Sequence, residues 1–194
     1  MVLWQLQDIY GGQTEQELHQ KLKRTVDRFE QRKSKLASLD VKDFVQALHE
    51  ANDIAELGSR LESHASLHVA ENTLDPKRNA RNAKLQQEIT LLGNKTLFFN
   101  LWFMHLAQDK AEPLLKASGK YRYMLQRIRA YREHTLLEDE EKIINLKDLT
   151  GCEELVRIYR MITSAYSFSW KKNQINEEEL VSLAMSSKRT DRVN

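Results

Sequence analysis

Cysteine is almost missing from this chain. Cys152 stands alone among 194 residues, so no intrachain disulfide can form, and a reducing compartment is the natural setting. Proline and glycine are scarce, at two and six residues. That shortage excludes β-sandwiches and barrels, which need a turn signal every few residues, and leaves room for long helices. No apolar run approaches the ~18 residues that a membrane span needs; the nearest, Thr96 to Leu106, is broken by Asn100 and His105. Met1 to Gly12 lacks both the basic n-region and the apolar h-region of a secretory signal. Neither sign of charge dominates, with 30 Lys and Arg against 28 Asp and Glu, so a dedicated nucleic-acid or membrane-surface binder is not expected. These absences together predict a cytoplasmic protein with no nucleic-acid and no membrane partner.

What is present is helical periodicity. A short lead segment carrying Trp4, Leu6, Ile9 and Tyr10 ends at Gly11-Gly12 and is expected to lie against the body of the protein. Thr14 and Glu17 have capping-box spacing, and Leu18, Leu22, Val26, Phe29 and Leu36 recur at helical intervals, predicting a helix to about Ala37. Asp40 caps a second helical segment. Its stripe changes phase near Asn52-Asp53, which predicts a bend or two helices in succession, ending near Thr73-Leu74. Asp75-Pro76 is a strong helix start. From there Leu85, Ile89, Leu92, Thr96, Phe99, Phe103 and Leu106 keep three–four spacing, and Leu101 and Trp102 widen the face until that end is apolar almost all round, as a central core helix requires.

Beyond it, Lys110 to Ser118 contains Pro113 and reads as a short turn of helix and a connection. Tyr121, Met124, Leu125, Ile128 and Tyr131 mark another helix, His134 to Leu137 a break, and Glu138 to Glu141 an acidic helix start that the helix dipole favours. Gly151 stops that helix. Leu155, Ile158, Tyr159, Ile162, Ala165 and Tyr166 predict the next, running to about Trp170. Asn176 and Glu179 repeat the capping-box spacing. No stretch reads as a strand. The expected fold class is all-α: a multi-helix bundle of six to eight helices, several long and antiparallel. Two parts are expected, residues 1–110 as a long-helix part and residues 111–194 as a second helical part packed with the first as one unit.

The chain is poor in catalytic patterns. A zinc hydrolase of the His-Glu-x-x-His type needs two imidazoles one helical turn apart with a glutamate beside the first. His64-Ala65-Ser66-Leu67-His68 has the histidine spacing but Ala where the general base must stand, so His64 and His68 are candidates for metal binding only, and two surface or groove-facing helix histidines are the plainer reading. His49-Glu50-Ala51-Asn52-Asp53 has the His-Glu pair with Asp in place of the second His. No glutamate has a histidine three residues on, which excludes the carboxylate-bridged di-metal bundle. Cys152 follows Gly151 near a helix start, where a thiol is acidified, but it lacks a nucleophile signature and reads as a half-buried small residue. The basic runs Lys21 to Arg24, Arg32 to Lys35 and Arg127 to Arg132 are interleaved with acids or apolar residues, as solvated helix faces are. The aromatic cluster Phe98, Phe99, Trp102 and Phe103 has no basic patch beside it and is assigned to the core rather than to base stacking.

Several stretches, taken in order, resemble the N-terminal region of oligoendopeptidase F-type enzymes, relatives of thimet oligopeptidase. Trp4-Gln5-Leu6-Gln7-Asp8-Ile9-Tyr10 resembles their opening Trp-x-Leu-x-x-Ile/Leu-Tyr, and Ile54 to Asp75 their long second helical segment and its exit. Tyr121 to Leu125, Arg132-Glu133-His134-Thr135-Leu136 and Glu140 to Ile144 resemble their most distinctive N-terminal stretch, a helix ending in His-x-Leu followed by an acidic helix start. Glu177 to Leu183 and the polar Ser186 to Arg192 resemble the passage into the next helical layer. The resemblance implies a peptidase that, when complete, binds zinc and cleaves short peptides inside a closed channel walled in part by these helices. Its His-Glu-x-x-His helix and later Glu ligand have no counterpart here, so no catalytic and no metal residue is assigned, and the chain itself is expected to carry no cofactor and no activity. The chain runs to Asp191-Arg192-Val193-Asn194 where the family pattern continues into another helix; a truncated product, a fragment or a free-standing protein all fit. The implied partner is the missing catalytic half or a homologous chain, and the implied signature an exposed apolar surface on one side. The alternative is a free-standing helical interaction module without enzymatic activity, for which every large apolar face should be covered. A small hydrolase that uses His64 and His68 with an acid from another helix is the third reading.

Overall fold

The computed structural model describes residues 5–192. Trp4, the first residue of the opening motif, and Val193-Asn194 lie outside the described residues. The chain is an all-α multi-helix bundle with one two-stranded ribbon.

Its first half is built on three helices, α1 (Glu15–Glu30), α2 (Val41–Ala70) and α3 (Pro76–His105), which pack on one another. Each starts where a side chain can satisfy free backbone N–H groups. At α1 the Thr14 hydroxyl accepts from the Glu17 N–H (3.2 Å), and the Thr14 N–H donates to the Glu17 carboxylate (2.8 Å). Asp40 accepts from the Asp43 N–H (2.7 Å), and Asp75 from the N–H groups of Lys77 (2.8 Å) and Arg78 (3.3 Å), with Pro76 in the first turn. Those bonds hold the Asp75 carboxyl below its usual range.

Two sequence expectations change here. Helix α1 stops at Glu30, and Gln31–Ser38 tighten into a 3-10 segment that carries the buried Leu36. The phase change near Asn52-Asp53 divides nothing: α2 is a single element of thirty residues. Its two stripes serve different neighbours instead, because Phe44 and Leu48 belong with the aromatic end of α3 while His64 faces the lead segment. Gly58 faces Ile89 of α3, where an added Cβ would make an ordinary van der Waals contact at 3.7 Å from Ile89 Cγ2.

The core follows from these stripes. Leu18, Leu22, Val26 and Phe29 of α1 are fully enclosed, as are Phe44, Ala47 and Leu61 of α2 and Phe99 and Phe103 of α3. Four phenylalanines knit the three helices: Phe29 meets Phe99 edge-on at 5.5 Å, and Phe44 stacks on Phe99 at 5.9 Å and on Phe103 at 5.4 Å. Such pairs add about 0.5–1.5 kcal/mol each beyond their area. The aromatic cluster is therefore core. The lead segment, a 3-10 turn over Leu6–Tyr10, lies against α2 and buries Tyr10; Gly11 and Gly12 turn the chain into α1 at φ +60° and +80°. Of the basic runs, the middle one is more than a solvated face. Arg32 grips Glu50 with two bonds of 2.8 and 2.9 Å and thereby holds the Glu50 carboxyl below its usual range.

Helix α4 (Gln108–Ala117) is longer than the turn expected around Pro113 and buries Ala111, Leu114 and Leu115. Helix α5 (Arg122–Ala130) follows, and its Arg129 donates to the Phe103 carbonyl at 2.9 Å and to Gln108 at 3.1 Å. Then come α6 (Glu138–Thr150) and α7 (Cys152–Ser164), divided by Gly151. The acidic start of α6 works as capping: the N–H groups of Leu136 and Leu137 donate to Glu141 (2.8 Å) and Glu140 (3.0 Å). Helix α7 stops short of Trp170. A β-hairpin replaces its expected end, β1 (Phe168–Trp170) pairing antiparallel with β2 (Asn173–Ile175), and this corrects the expectation of no strand. The reason is local. Lys171 takes φ +54° at the turn, and Ser167 and Ser169 exchange side-chain bonds with Gln174 at 2.8 Å, so polar residues close a ribbon in place of a further helical turn. Helices α8 (Glu177–Ala184), with the Asn176–Glu179 capping box in place, and α9 (Arg189–Arg192) complete the described chain. Among the described residues no helix is long and apolar enough to cross a membrane.

Candidate functional site

His64 and His68 sit on α2 above the lead segment, beside a shallow pocket of about 610 Å³ that Glu71 and Arg81 also border. Helical spacing puts both rings on one face. The His64 ring is buried against Tyr10, whose ring stacks on it at 4.2 Å and 25°. The Tyr10 hydroxyl is held in turn by Glu15 at 2.9 Å. The two imidazole centroids stand 6.0 Å apart at 26°. A zinc ion needs its ligand nitrogens to converge at about 2.0–2.1 Å from one point, with at least a third donor, and the rings here are stacked side by side. Among the described residues no group of three or more His, Cys, Asp and Glu is placed to hold a metal. The donors present therefore do not fit the zinc implied by the resemblance, and no bond-breaking step can be written through them. Desolvation pushes the His64 pKa down, helped by the neighbouring His68 and opposed by Glu71, as expected of an imidazole serving as packing material.

The other candidates are not brought together either. His49 is exposed and meets Tyr121 edge-on at 5.4 Å; Asp53, one helical turn on, is exposed. Cys152 opens α7 and is exposed rather than half-buried, and no histidine lines the cleft it borders.

The conspicuous feature is a surface. No residue after Leu125 is buried among the described residues. Of nineteen large apolar side chains standing exposed there, sixteen lie between Tyr123 and Met185. Helix α7 shows the pattern best. Leu155, Ile158, Tyr159 and Ile162 form one stripe at helical spacing and are 68%, 43%, 67% and 52% exposed. Helix α6 adds Ile143 and Ile144, and the loop before it Leu136 and Leu137. The layering explains this. Helix α6 lies on α3, and α7 lies on α6. Scattered single apolar side chains are normal on a surface, but here eight large ones stand exposed on α6, α7 and the loop before α6. A sequence signal for this was available, since α7 has as clean an apolar stripe as α1, but periodicity says that a face wants cover, not whether the chain supplies it.

Comparison with known families places a match on this part of the molecule. Residues 102–168 match the family model described as Oligopeptidase F, the N-terminal model of the M3 peptidases. The opening stretch Trp4 to Tyr10, the segment Ile54 to Asp75 and the stretch from Glu177 lie outside the matched residues. Neither the curated proteins nor the solved structures give a match. The matched segment runs from the end of α3 through α7 and carries most of the open apolar face, and over those residues the chain is similar to the N-terminal region of oligoendopeptidase F-type peptidases.

Proposed function

We propose that these helices form a non-catalytic N-terminal portion of an oligoendopeptidase F-like zinc metallopeptidase, one that cleaves short peptides when complete, and that they wall part of its substrate channel. The observation that supports the reading most is an overlap: the family match covers residues 102–168, and among the described residues none after Leu125 is buried. The part of the chain that matches the peptidase model is largely the part left uncovered. In this reading the apolar stripe of α7 and the exposed face of α6 take the metal-bearing half, while α1 to α3 form the base that holds them in place. The chemistry belongs to the metal-bearing half. This chain excludes water and gives the channel its shape, and none of its residues is assigned a role at the scissile bond.

The test mixes the purified chain with the separately produced metal-bearing half of an oligoendopeptidase F. Expected is a one-to-one complex in sedimentation and a gain in chelator-sensitive cleavage of a fluorogenic oligopeptide, with no cleavage by the 194-residue chain alone. Cleavage by the lone chain that stops on chelation would overturn the proposal. A lone chain that seals its apolar face by self-association and ignores the metal-bearing half would instead establish the alternative, a helical interaction module without enzymatic activity.

A further inference from the structure

Two of the six glycines stand inside long helices, Gly58 in α2 and Gly93 in α3, and both line one groove between those helices. The other four stand at left-handed turns or, for Gly151, between α6 and α7. A glycine inside a helix gives up stability relative to alanine, because the unfolded chain has more freedom to lose. Packing does not explain either position. A Cβ on Gly93 would meet nothing within 4 Å, and one on Gly58 would make only an ordinary contact with Ile89. What the missing side chains leave is space, a pocket of about 320 Å³. That volume is at the small end of ligand-binding clefts, about 300–1,000 Å³. Leu22, Ile54, Leu92 and Phe99 line it from the core and are buried, while Ala51, Ala55, Ile89 and Gly93 keep surface of their own. One charged residue lines it among the described residues, the exposed Glu62, one helical turn beyond Gly58 on the same face of α2. No cation and no hydrogen-bond donor acts on that carboxylate among the described residues, and Glu153 of α7 is near enough to repel it. Loss of hydration, and then that repulsion, raise the Glu62 carboxyl above its usual range.

We infer that the groove between α2 and α3 binds a small organic ammonium, its apolar body against the wall that the two glycines leave open and its N–H groups donating to Glu62. The apolar wall selects a ring or a short alkyl body, and a lone carboxylate without a counter-charge selects the sign, because a charge-assisted hydrogen bond is the strong kind. An anionic ligand would meet the like charges of Glu62 and Glu153 together. A neutral one would leave the Glu62 carboxylate as it stands. The spacing fits as well. Gly58 and Glu62 are about 6 Å apart along the helix axis at 1.5 Å per residue, the span from a ring to an ammonium two carbons away. The site lies on the helical base, away from the open stripe of α7, and its chemistry owes nothing to peptide cleavage. It and the docking experiment above therefore fail independently.

The experiment follows the backbone amide signals of the nitrogen-15-labelled full chain by NMR during titration with 2-phenylethylammonium at neutral pH. The uncharged 2-phenylethanol and the anionic 3-phenylpropionate are the comparisons. Expected is saturable binding of the ammonium with a dissociation constant of about 1 mM or below, with shifts centred on Gly58 and Gly93. The alcohol should bind about fivefold more weakly, the size expected for losing one exposed ion pair, and the anion should not saturate. Glu62→Gln should bind the ammonium as weakly as the native chain binds the alcohol. Gly93→Leu places a side chain in the pocket and should abolish binding while the chain melts no lower, since leucine is the better helix former; binding lost at unchanged or raised stability cannot come from misfolding. No saturation by the ammonium up to about 10 mM, equal affinity of the native chain for ammonium and alcohol, or undiminished binding by Gly93→Leu would overturn the inference.

Discussion

Phe103, on the last turns of α3, has no exposed surface, whereas Tyr159, on the apolar stripe of α7, is 67% exposed. Both sit on helices whose large residues recur every three or four positions, and both would be assigned to a core by pattern alone. The first belongs to residues 5–125, where α1 to α4 face one another and the lead segment seals the far end. The second belongs to residues 126–192, where α6 lies on α3 and α7 on α6 and no side chain is buried among the described residues. The difference teaches that amphipathicity states a demand, and that only a neighbour meets it. In the first region each helix finds at least two partners within the chain. In the second region large apolar faces of α6 and α7 stay exposed among the described residues.

The largest break in that comparison is expected from Phe103→Ala. Removing a ring packed between Phe44, Trp102 and the guanidinium of Arg129 leaves a cavity at the centre of the first region, and chemical denaturation should show a loss of about 3–5 kcal/mol. A variant within about 1 kcal/mol of the native chain would show that the aromatic centre is loosely packed after all.

A smaller effect separates the regions by pH. His64 has a folded-state pKa below the ordinary imidazole value of about 6.5, so the unfolded chain takes up a proton more readily than the folded one. Its contribution to stability is complete above that ordinary value and is lost as pH falls through the window below it. The melting temperature should therefore drop between about pH 7 and pH 5, and His64→Phe, which keeps the ring stacked between Tyr10 and His68, should flatten part of the drop. A profile identical in both proteins would show that His64 is not the group responsible.

The smallest effect is expected from Tyr159→Ser. With its ring in solvent, the isolated chain should change by no more than about 0.5 kcal/mol. Amide hydrogen exchange should meanwhile be faster throughout α7 and α8 than in α1 to α3. Destabilisation comparable to Phe103→Ala would mean that the face is already covered in solution.

Much of the first region was legible. Thr14, Asp40 and Asp75 cap helices where their side chains and spacing indicate, because capping needs only neighbours a few residues away. The stripe from Leu85 to Phe103 identified the central helix. Legibility failed where distant groups compete. The phase change in α2 reads as a break until two different neighbours occupy its two stripes. The end of α7 reads as helix until Lys171 and the serine–glutamine exchange turn the chain back. In the candidate sites, the spacing of His64 and His68 was readable, but the Tyr10 ring that stacks on one of them comes from the other side of a glycine turn.

The sequence by itself determined the helices, their caps, the order of apolar stripes and the lack of any complete hydrolytic motif, since these are set by local hydrogen bonding and by residue identity. Only the tertiary structure decided which stripes are sealed, where the helices part to leave a cleft, and which carboxylate is left without a partner. Burial and hydrogen-bond satisfaction are properties of pairs of surfaces, and no single stretch of chain carries the information about what comes to lie against it.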